Sequence, residues 1–266
     1  MKSPFPRVGI IGAGQLGRMS AAPAAALGID LVLLAQSATD SGAQVAAFEV
    51  GDYRDLVQVR EFAKKCDLLT FEHELIPISV IRALENEGVK FYPTSESFIY
   101  SQDKAAMREK LANYLAPKWQ VVTKASEVLE YPVIAKSISG GYDGRGVWKV
   151  NSESELAAIL LENPKLLVEE LIDFDFEISV MVARSPHGQA ATWAPTQTVQ
   201  SDGICTMTIA PAPELSEALG QQAQQIALSI AAEIKLALNA FDHHAGAQVG
   251  VTNFGHWVGC QNHFLP

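Results

Sequence analysis

From Arg7 onward the chain alternates short, continuous apolar runs with longer segments whose apolar positions recur every three or four residues. "RVGII" fits a buried strand, "GAGQLGRMSAAPAAALG" a glycine turn entering a helix, and "IDLVLLAQ" a second strand. Brief apolar runs between turn residues suit interior strands, and three-to-four spacing suits the apolar face of a helix. "RDLVQVREFAKKC" then predicts a short helix, "DLLTFEHE" a strand, "PISVIRALENEG" a helix and "VKFYPT" a further strand. Alternation of this kind predicts a parallel sheet with helices on its faces.

The pattern changes between Thr94 and Ser101, which divides the chain into domains at 1–100 and 101–266. "SQDKAAMREKLANYLAP" reads as one charged helix, and "YPVIAK" and "GVWKVN" as antiparallel strands around a glycine-rich loop. A helix at "SESELAAILLEN", strands at "KLLVEEL", "FEISVMVAR" and "GQAATWAPTQTVQ", and a long amphipathic helix at "ELSEALGQQAQQIALSIAAEIKLAL" follow. The fold class expected is α/β: a Rossmann-like parallel-sheet N-terminal domain followed by an α+β domain.

Composition narrows the partners. A chain of 266 residues, 48% of them apolar, has the length and the apolar content for two folded domains. A formal charge of −10 leaves no basic surplus for a nucleic-acid backbone, though small anions need only local donors. Cys66, Cys205 and Cys260 are scattered without a CxxC pair, which fits small buried hydrophobes in a reducing compartment. The apolar stretch from Val8 is interrupted by Gly12, Gly14, Gln15 and Arg18, so neither a signal peptide nor a membrane span is expected, and the expected location is the cytoplasm.

The candidate chemistry centres on "AKSISGGYDGRGVWKV". Lys136 ends an apolar strand just ahead of Gly140, Gly141, Gly144 and Gly146, and Tyr142, Asp143 and Arg145 lie among those glycines. A strand-borne lysine beside a donor-rich glycine loop suits the phosphates of a nucleotide, with the loop as a lid. No lysine and hydroxyl follow the glycines, so this is not a P-loop. Gly12, Gly14 and Gly17 form GxGxxG between a strand and a helix, but Gln36 stands where a dinucleotide site wants an acid, which favours an anion site or a structural turn over NAD. Glu72 and Glu74 share one face at the end of a strand, and Glu169, Glu170 and Glu177 offer acceptors for an adenine amino group and ribose hydroxyls. Taken singly, Glu72 and Glu74 read first as surface carboxylates, and the alternative for Glu169, Glu170 and Glu177 is an ordinary exposed acidic turn.

In order along roughly the first 230 residues, "GAGQLGRM", "TFEHE", "SQDKAAMREKL", "SGGYDGRG", "VEELIDFDFEISVMVAR" and "DGIC…APAP" resemble the N5-carboxyaminoimidazole ribonucleotide synthase family of ATP-grasp enzymes. The resemblance implies an ATP-grasp second domain and a ligase of purine biosynthesis. In that reaction ATP and bicarbonate form carboxyphosphate, whose carboxyl group passes to 5-aminoimidazole ribonucleotide. It also implies Mg²⁺ and a homodimer, with no nucleic-acid or membrane partner. By the same resemblance Lys104 and Lys136 meet phosphates beneath the loop of Gly140, Gly141, Asp143, Gly144 and Gly146. Glu169, Glu170, Leu171 and Ile172 form the adenine-contacting hinge, and Glu177 binds the ribose. Gly14, Gln15, Leu16, Glu72, Tyr142 and Arg145 receive the ribonucleotide, while Arg184 joins Lys136 in stabilising charge during transfer.

The tail departs from the family pattern. Asn239 stands where a magnesium-binding glutamate is expected, and the Asn-Glu pair ahead of "FGHW" has no counterpart, so no metal ligand is assigned and the second domain reads as incomplete at its C-terminal end. His256, Cys260 and His263, with His243 or His244, have zinc-compatible types, but the resemblance accounts for "GHW" without zinc; "DHH" lacks the further aspartates of metal phosphoesterases. The rival readings are another ATP-grasp ligase, such as a formate-using glycinamide ribonucleotide transformylase, and a catalytically impaired nucleotide-binding module.

Overall fold

The computed structural model describes residues 6–140, 146–201, 204–236, 249–252 and 257–260. The N-terminal part runs β1 (Arg7–Ile11), α1 (Gln15–Ala26), β2 (Asp30–Ala35), β3 (Ala47–Val50), α2 (Leu56–Ala63), β4 (Leu68–Phe71), α3 (Ile78–Asn86) and α4 (Ser95–Gln102). Its strands form one parallel sheet in the order β3-β2-β1-β4. Neighbouring residues of β1 serve opposite faces: Ile11 packs with Phe62, Ile81 and Leu84 beneath α2 and α3, whereas Ile10 packs with Leu33 and Ala13 on the other. Burial on both faces is why the strands read as unbroken apolar runs rather than alternating ones.

The second part runs α5 (Lys104–Lys110), β5 (Trp119–Val122), β6 (Val133–Ser137), β7 (Val147–Val150), α6 (Glu153–Glu162), β8 (Leu166–Glu170), β9 (Glu177–Val180), β10 (Val182–Arg184), β11 (Ala190–Thr192), β12 (Thr196–Ser201), β13 (Ile204–Ile209), α7 (Glu217–Glu233), β14 (Val249–Thr252) and β15 (Trp257–Cys260). An antiparallel sheet, β5-β8-β6-β7, buries Val133, Ala135, Leu166 and Val168 with Leu156 of α6. A second, β13-β12-β9-β14-β15, buries Ile178 and Val180 with Ala227 and Ile230 of α7. Met107 and Leu111 join that same core, so α5 is packed against the second sheet. Helices α2, α5, α6 and α7 each start on an Asp or Ser whose side chain accepts a backbone N–H of the first turn, from Asp55, Asp103, Ser152 and Ser216.

The expected α/β class, with a parallel first sheet and a mixed second part, is what the structure has. Several elements differ in detail. The "SQDKAAMREKLANYLAP" helix is two: Asp103 adopts φ −124°, ψ 103°, which closes α4, and its carboxylate caps α5. "FEISVMVAR" breaks at Met181 into β9 and β10, which serve different sheets, and "GQAATWAPTQTVQ" likewise becomes β11 and β12. "VKFYPT" contributes one parallel bridge, Leu69 to Phe91, instead of a strand. The part-exposed strands β3, β5 and β13, whose apolar residues are interrupted by Glu49, by Gln120 and by Thr206 and Thr208, are absent from the sequence reading.

The two parts are tied at residues 102–104. Gln102 Nε2 donates to the carbonyl oxygens of Glu74 and Ile76, each at 2.6 Å, and the Lys104 N–H donates to Ile138 O at 2.9 Å. Gln102→Ala is expected to lower stability by about 1–3 kcal/mol, since two partly buried carbonyls lose their donor. Urea unfolding measures it, and an unchanged midpoint would show that water replaces the amide.

Candidate functional site

The first half of the site lies where β1 and β4, neighbours in register from Val8–Leu68 to Ile11–Phe71, end together. In an open parallel sheet this switch point, with β2 on one side of β1 and β4 on the other, leaves a crevice beyond the strand ends. The glycine turn leaves β1 there, and Glu72 leaves β4 with its N–H on Ile11 O at 3.0 Å. The Glu72 carboxylate turns back to accept from the N–H groups of Gly14, at 2.6 Å, and Leu16, at 3.0 Å. Gly12 has φ +119°, and a Cβ on it would stand 2.6 Å from Glu72 Cβ; a Cβ on Gly14 would stand 2.6 Å from Glu72 Oε1. These glycines therefore admit a carboxylate of the chain itself to the positive end of α1, where a dinucleotide would put its phosphate. Gln15 is exposed beside it.

His73 adjoins this group. Its ring meets Tyr53 edge-on at 4.8 Å, and its Nδ1 accepts the Leu75 N–H at 3.2 Å, which puts the ring proton on Nε2. Burial holds the imidazole below its ordinary range despite the nearby carboxylates of Glu72 and Glu74, so it is neutral at physiological pH.

The second half lies on the face of the β5-β8-β6-β7 sheet that Arg108 of α5 reaches. Ile134 pairs with Glu169 and Lys136 with Leu167, so Lys136 and Glu169 are diagonal neighbours on one face, opposite the face that α6 covers. Lys136 Nζ stands 2.6 Å from Glu169 Oε2, and Arg108 Nε, from α5, donates to Glu169 Oε1 at 2.5 Å. The side chains of Glu169 and Arg108 are each 2% exposed. Burial pushes the Glu169 carboxyl up, but Lys136 and Arg108 outweigh it and hold the group below the usual carboxylate range.

Lys104 completes the cluster at the root of the glycine loop, donating from Nζ to Gly140 O at 3.0 Å. Burial, and then the neighbouring Lys136, draw its ammonium below the ordinary lysine value, partly offset by Glu74, Asp103 and Glu169. The Lys104–Lys136 repulsion is relieved by an anion placed between them. Gly140 and Gly146 stand at the two ends of the loop with φ +68° and +75°, where a side chain would be strained. The Ser137 N–H closes on Gly146 O at 2.8 Å. Gly141, Tyr142, Asp143, Gly144 and Arg145 lie outside the described residues.

The remaining predicted residues have distinct settings. Glu170 Oε1 accepts the Lys118 N–H at 2.9 Å, and Leu171 and Ile172 follow at the partly exposed exit of β8. Glu177 Oε1 accepts from Thr198 Oγ1 at 3.2 Å and Gln200 Nε2 at 3.4 Å on the neighbouring strand. Arg184 Nη1 donates to Leu236 O at 2.9 Å, beyond the end of α7. Asn239, His243, His244, His256 and His263 lie outside the described residues, as does the side chain of Cys260. Sequence reasoning passed over Arg108. Its signal was the spacing "KAAMR", which puts Arg108 one helical turn beyond Lys104.

Comparison with known proteins matches both halves. A model of the ribonucleotide synthetase preATP-grasp domain matches residues 5–102, and one of the ATP-grasp domain matches residues 105–238. An N5-carboxyaminoimidazole ribonucleotide synthase of Mycobacterium bovis is 37% identical over 95% of this chain and 64% of its own length. That of Corynebacterium ammoniagenes is 36% identical over 96% of this chain and 68% of its own. The chain thus spans about two-thirds of the length of such relatives. Among solved structures, the ADP complex of an N5-carboxyaminoimidazole ribonucleotide synthetase superposes with a TM-score of 0.85 at 27% identity, covering 96% of this chain and 69% of that one. The Aspergillus clavatus synthase in complex with ADP and 5-aminoimidazole ribonucleotide gives 0.80 at 27% identity, covering 93% and 65%.

A depressed carboxylate contributes stability that is complete above its unfolded pKa of about 4.3 and is lost as the pH falls through its folded value. Glu169→Gln, which leaves two buried cations without their anion, is therefore expected to cost about 3 kcal/mol at pH 7. The gap from the parent should narrow once the pH drops below about 4. Thermal unfolding between pH 7 and 3.5 measures it; a constant gap would show that Glu169 titrates alike folded and unfolded, and a gap that widens as the pH falls would show that it is neutral in the native state.

Proposed function

Because the chain belongs to the ATP-grasp family, and within it to the N5-carboxyaminoimidazole ribonucleotide synthases, we propose that it carboxylates 5-aminoimidazole ribonucleotide at the expense of ATP in purine biosynthesis. A bicarbonate oxygen attacks the γ-phosphorus of ATP and ADP leaves, giving carboxyphosphate. The substrate amine then attacks the carboxyl carbon, phosphate leaves and the amine proton is lost, giving the N5-carboxy product.

The observation that carries this reading is the meeting, at residues 102–104, of two chemically different half-sites. Gln102 holds the segment that follows β4, at Glu74 and Ile76, while Lys104 reaches the root of the glycine loop beside Lys136 and Glu169. In this reading residues 1–100 and 101–266 are the two units of the site. Lys104 and Lys136 bind the phosphates, and Gly140, Gly141, Asp143, Gly144 and Gly146 close over them. The backbone from Glu169 to Ile172 meets the adenine and Glu177 the ribose. Gly14, Gln15, Leu16, Glu72, Tyr142 and Arg145 receive the ribonucleotide, and Arg184 offsets charge on the transferring group.

The family implies Mg²⁺, which would supply Lewis-acid stabilisation of the phosphates. Mg²⁺ rests largely on phosphate and water oxygens with one or two carboxylates, and the described side chains assign none of those carboxylates. No three His, Cys, Asp or Glu residues stand together among the described residues, and Glu169 is already held by two cations. The steps above are therefore referred to the chain's own donors.

A homodimer and a cytoplasmic location complete the proposal; no helix among the described residues is long and apolar enough to cross a membrane. The test of the reaction is ADP release on adding both bicarbonate and 5-aminoimidazole ribonucleotide to the chain with ATP. Release that ignores either one, or that responds to formate and glycinamide ribonucleotide instead, overturns it.

Two substitutions separate the half-sites. Lys136→Ala is expected to weaken ADP binding at least tenfold by calorimetry, as a charged partner of the phosphates is lost. Arg145→Ala and Tyr142→Phe are expected to raise KM for the ribonucleotide more than KM for ATP; equal rises would make the loop a general lid.

A further inference from the structure

The reaction proposed above needs Lys136 to meet a phosphate, yet its ammonium lies 2.6 Å from a buried carboxylate, Glu169. An isolated lysine–glutamate pair is neutral and gives a polyphosphate little reason to approach. Transferring the lysine to the phosphate would strand the carboxylate in a dry environment, at a cost comparable to breaking a buried ion pair.

Arg108 changes that balance. Its guanidinium reaches the other oxygen of the same carboxylate, and its side chain is as deeply buried as that of Glu169. Two cations then share one carboxylate, and Glu169 keeps a hydrogen-bonded counterion whichever way the Lys136 ammonium turns. Lys104 beside it adds charge at the mouth but makes no ion pair to Glu169 among the described residues, so it does not substitute for Arg108.

We propose that Arg108 is a positioning residue for the nucleotide's phosphates: by serving as the permanent counterion of Glu169, it allows Lys136 to be shared with, or handed over to, a phosphate oxygen. The mechanism is an exchange of ion-pair partners within one buried group, with no movement of the backbone. Arg108 itself touches no phosphate. Its attachment through α5 ties it to the Met107 and Leu111 packing against the second sheet, so the counterion is held by the core rather than by a mobile surface chain.

The inference rests on the reading of this site as a nucleotide site, and the experiment separates the two. ADP and adenosine are titrated against the parent chain and against Arg108→Met, Arg108→Lys and the double variant Arg108→Met/Glu169→Gln, with thermal unfolding as a check on folding. Arg108→Met is expected to weaken ADP roughly 10- to 100-fold. Adenosine, which has no phosphate, should change less than about threefold, and Arg108→Lys should recover most of the ADP affinity. The double variant removes the anion that Arg108 serves, and it should bind ADP more tightly than Arg108→Met alone.

Parallel losses of ADP and adenosine would make Arg108 merely structural and overturn the inference, as would a double variant no better than the single one. If Arg108→Met does not fold, the double variant and Arg108→Lys still decide: the inference requires both to hold ADP within about tenfold of the parent. A parent chain that binds neither ligand overturns the nucleotide reading and this inference together; one that binds ADP with an indifferent Arg108 overturns the inference alone.

Discussion

A carboxylate with 2% exposure, held at both oxygens, is the constraint on which the second half of this protein depends. Burying Glu169 without partners would cost several kcal/mol, so Lys136 on β6 and Arg108 on α5 have to be where they are. That requirement fixes how α5 lies. Its Arg108 faces the first antiparallel sheet while Met107 and Leu111 enter the core of the second. The same constraint places Lys136 and Glu169, beside Ile134 and Leu167, on the face of the β5-β8-β6-β7 sheet opposite the one committed to α6. What looks like a stabilising salt bridge is weak evidence for stability by itself. Its value is that it keeps cationic groups in place, in low dielectric, beside a loop with glycines at both roots.

The two glycine-rich turns of the chain solve related problems in opposite ways. At the end of β1 the glycines bring backbone N–H groups and the positive end of α1 to an anion, and the anion is Glu72 of the same chain. The shape of a dinucleotide-binding turn is retained while its anion site is filled internally. The loop after β6 has its left-handed glycines at each root and cations beneath it, Lys104 among them. One turn carries its own negative charge and the other is built around positive charge.

Residues 102–104 join these halves with little machinery. A single non-helical residue, Asp103, ends α4 and caps α5. The residue before it grips the segment between β4 and α3, and the residue after it reaches the glycine loop. Glu96 and Lys235 add an exposed ion pair between α4 and the end of α7, of a kind that contributes little by itself.

Much of this was legible in the sequence, because burial on both faces writes itself as continuous apolar runs and glycines mark the turns. The β1-α1-β2 opening, β4, the antiparallel β6–β7 pair and the long α7 follow from those signals. So do the places where Glu72, Lys136 and the glycine loop leave the ends of strands. Half-exposed strands such as β3, β5 and β13 carry no such signature, since each is an edge strand with one paired neighbour and its exposed positions need not be apolar. The break at Asp103 was hidden because "SQDKAAMREKL" is helical in composition on both sides, and only the need to serve two packed units bends the backbone there. The partners of the charges were the least legible of all. The family resemblance put Glu169 at an adenine hinge and Glu72 near a substrate, but which cation or N–H group each carboxylate meets depends on strand register and on where α5 docks. Those are tertiary facts, because the Coulomb energy that selects a partner falls with distance through space and is indifferent to distance along the chain.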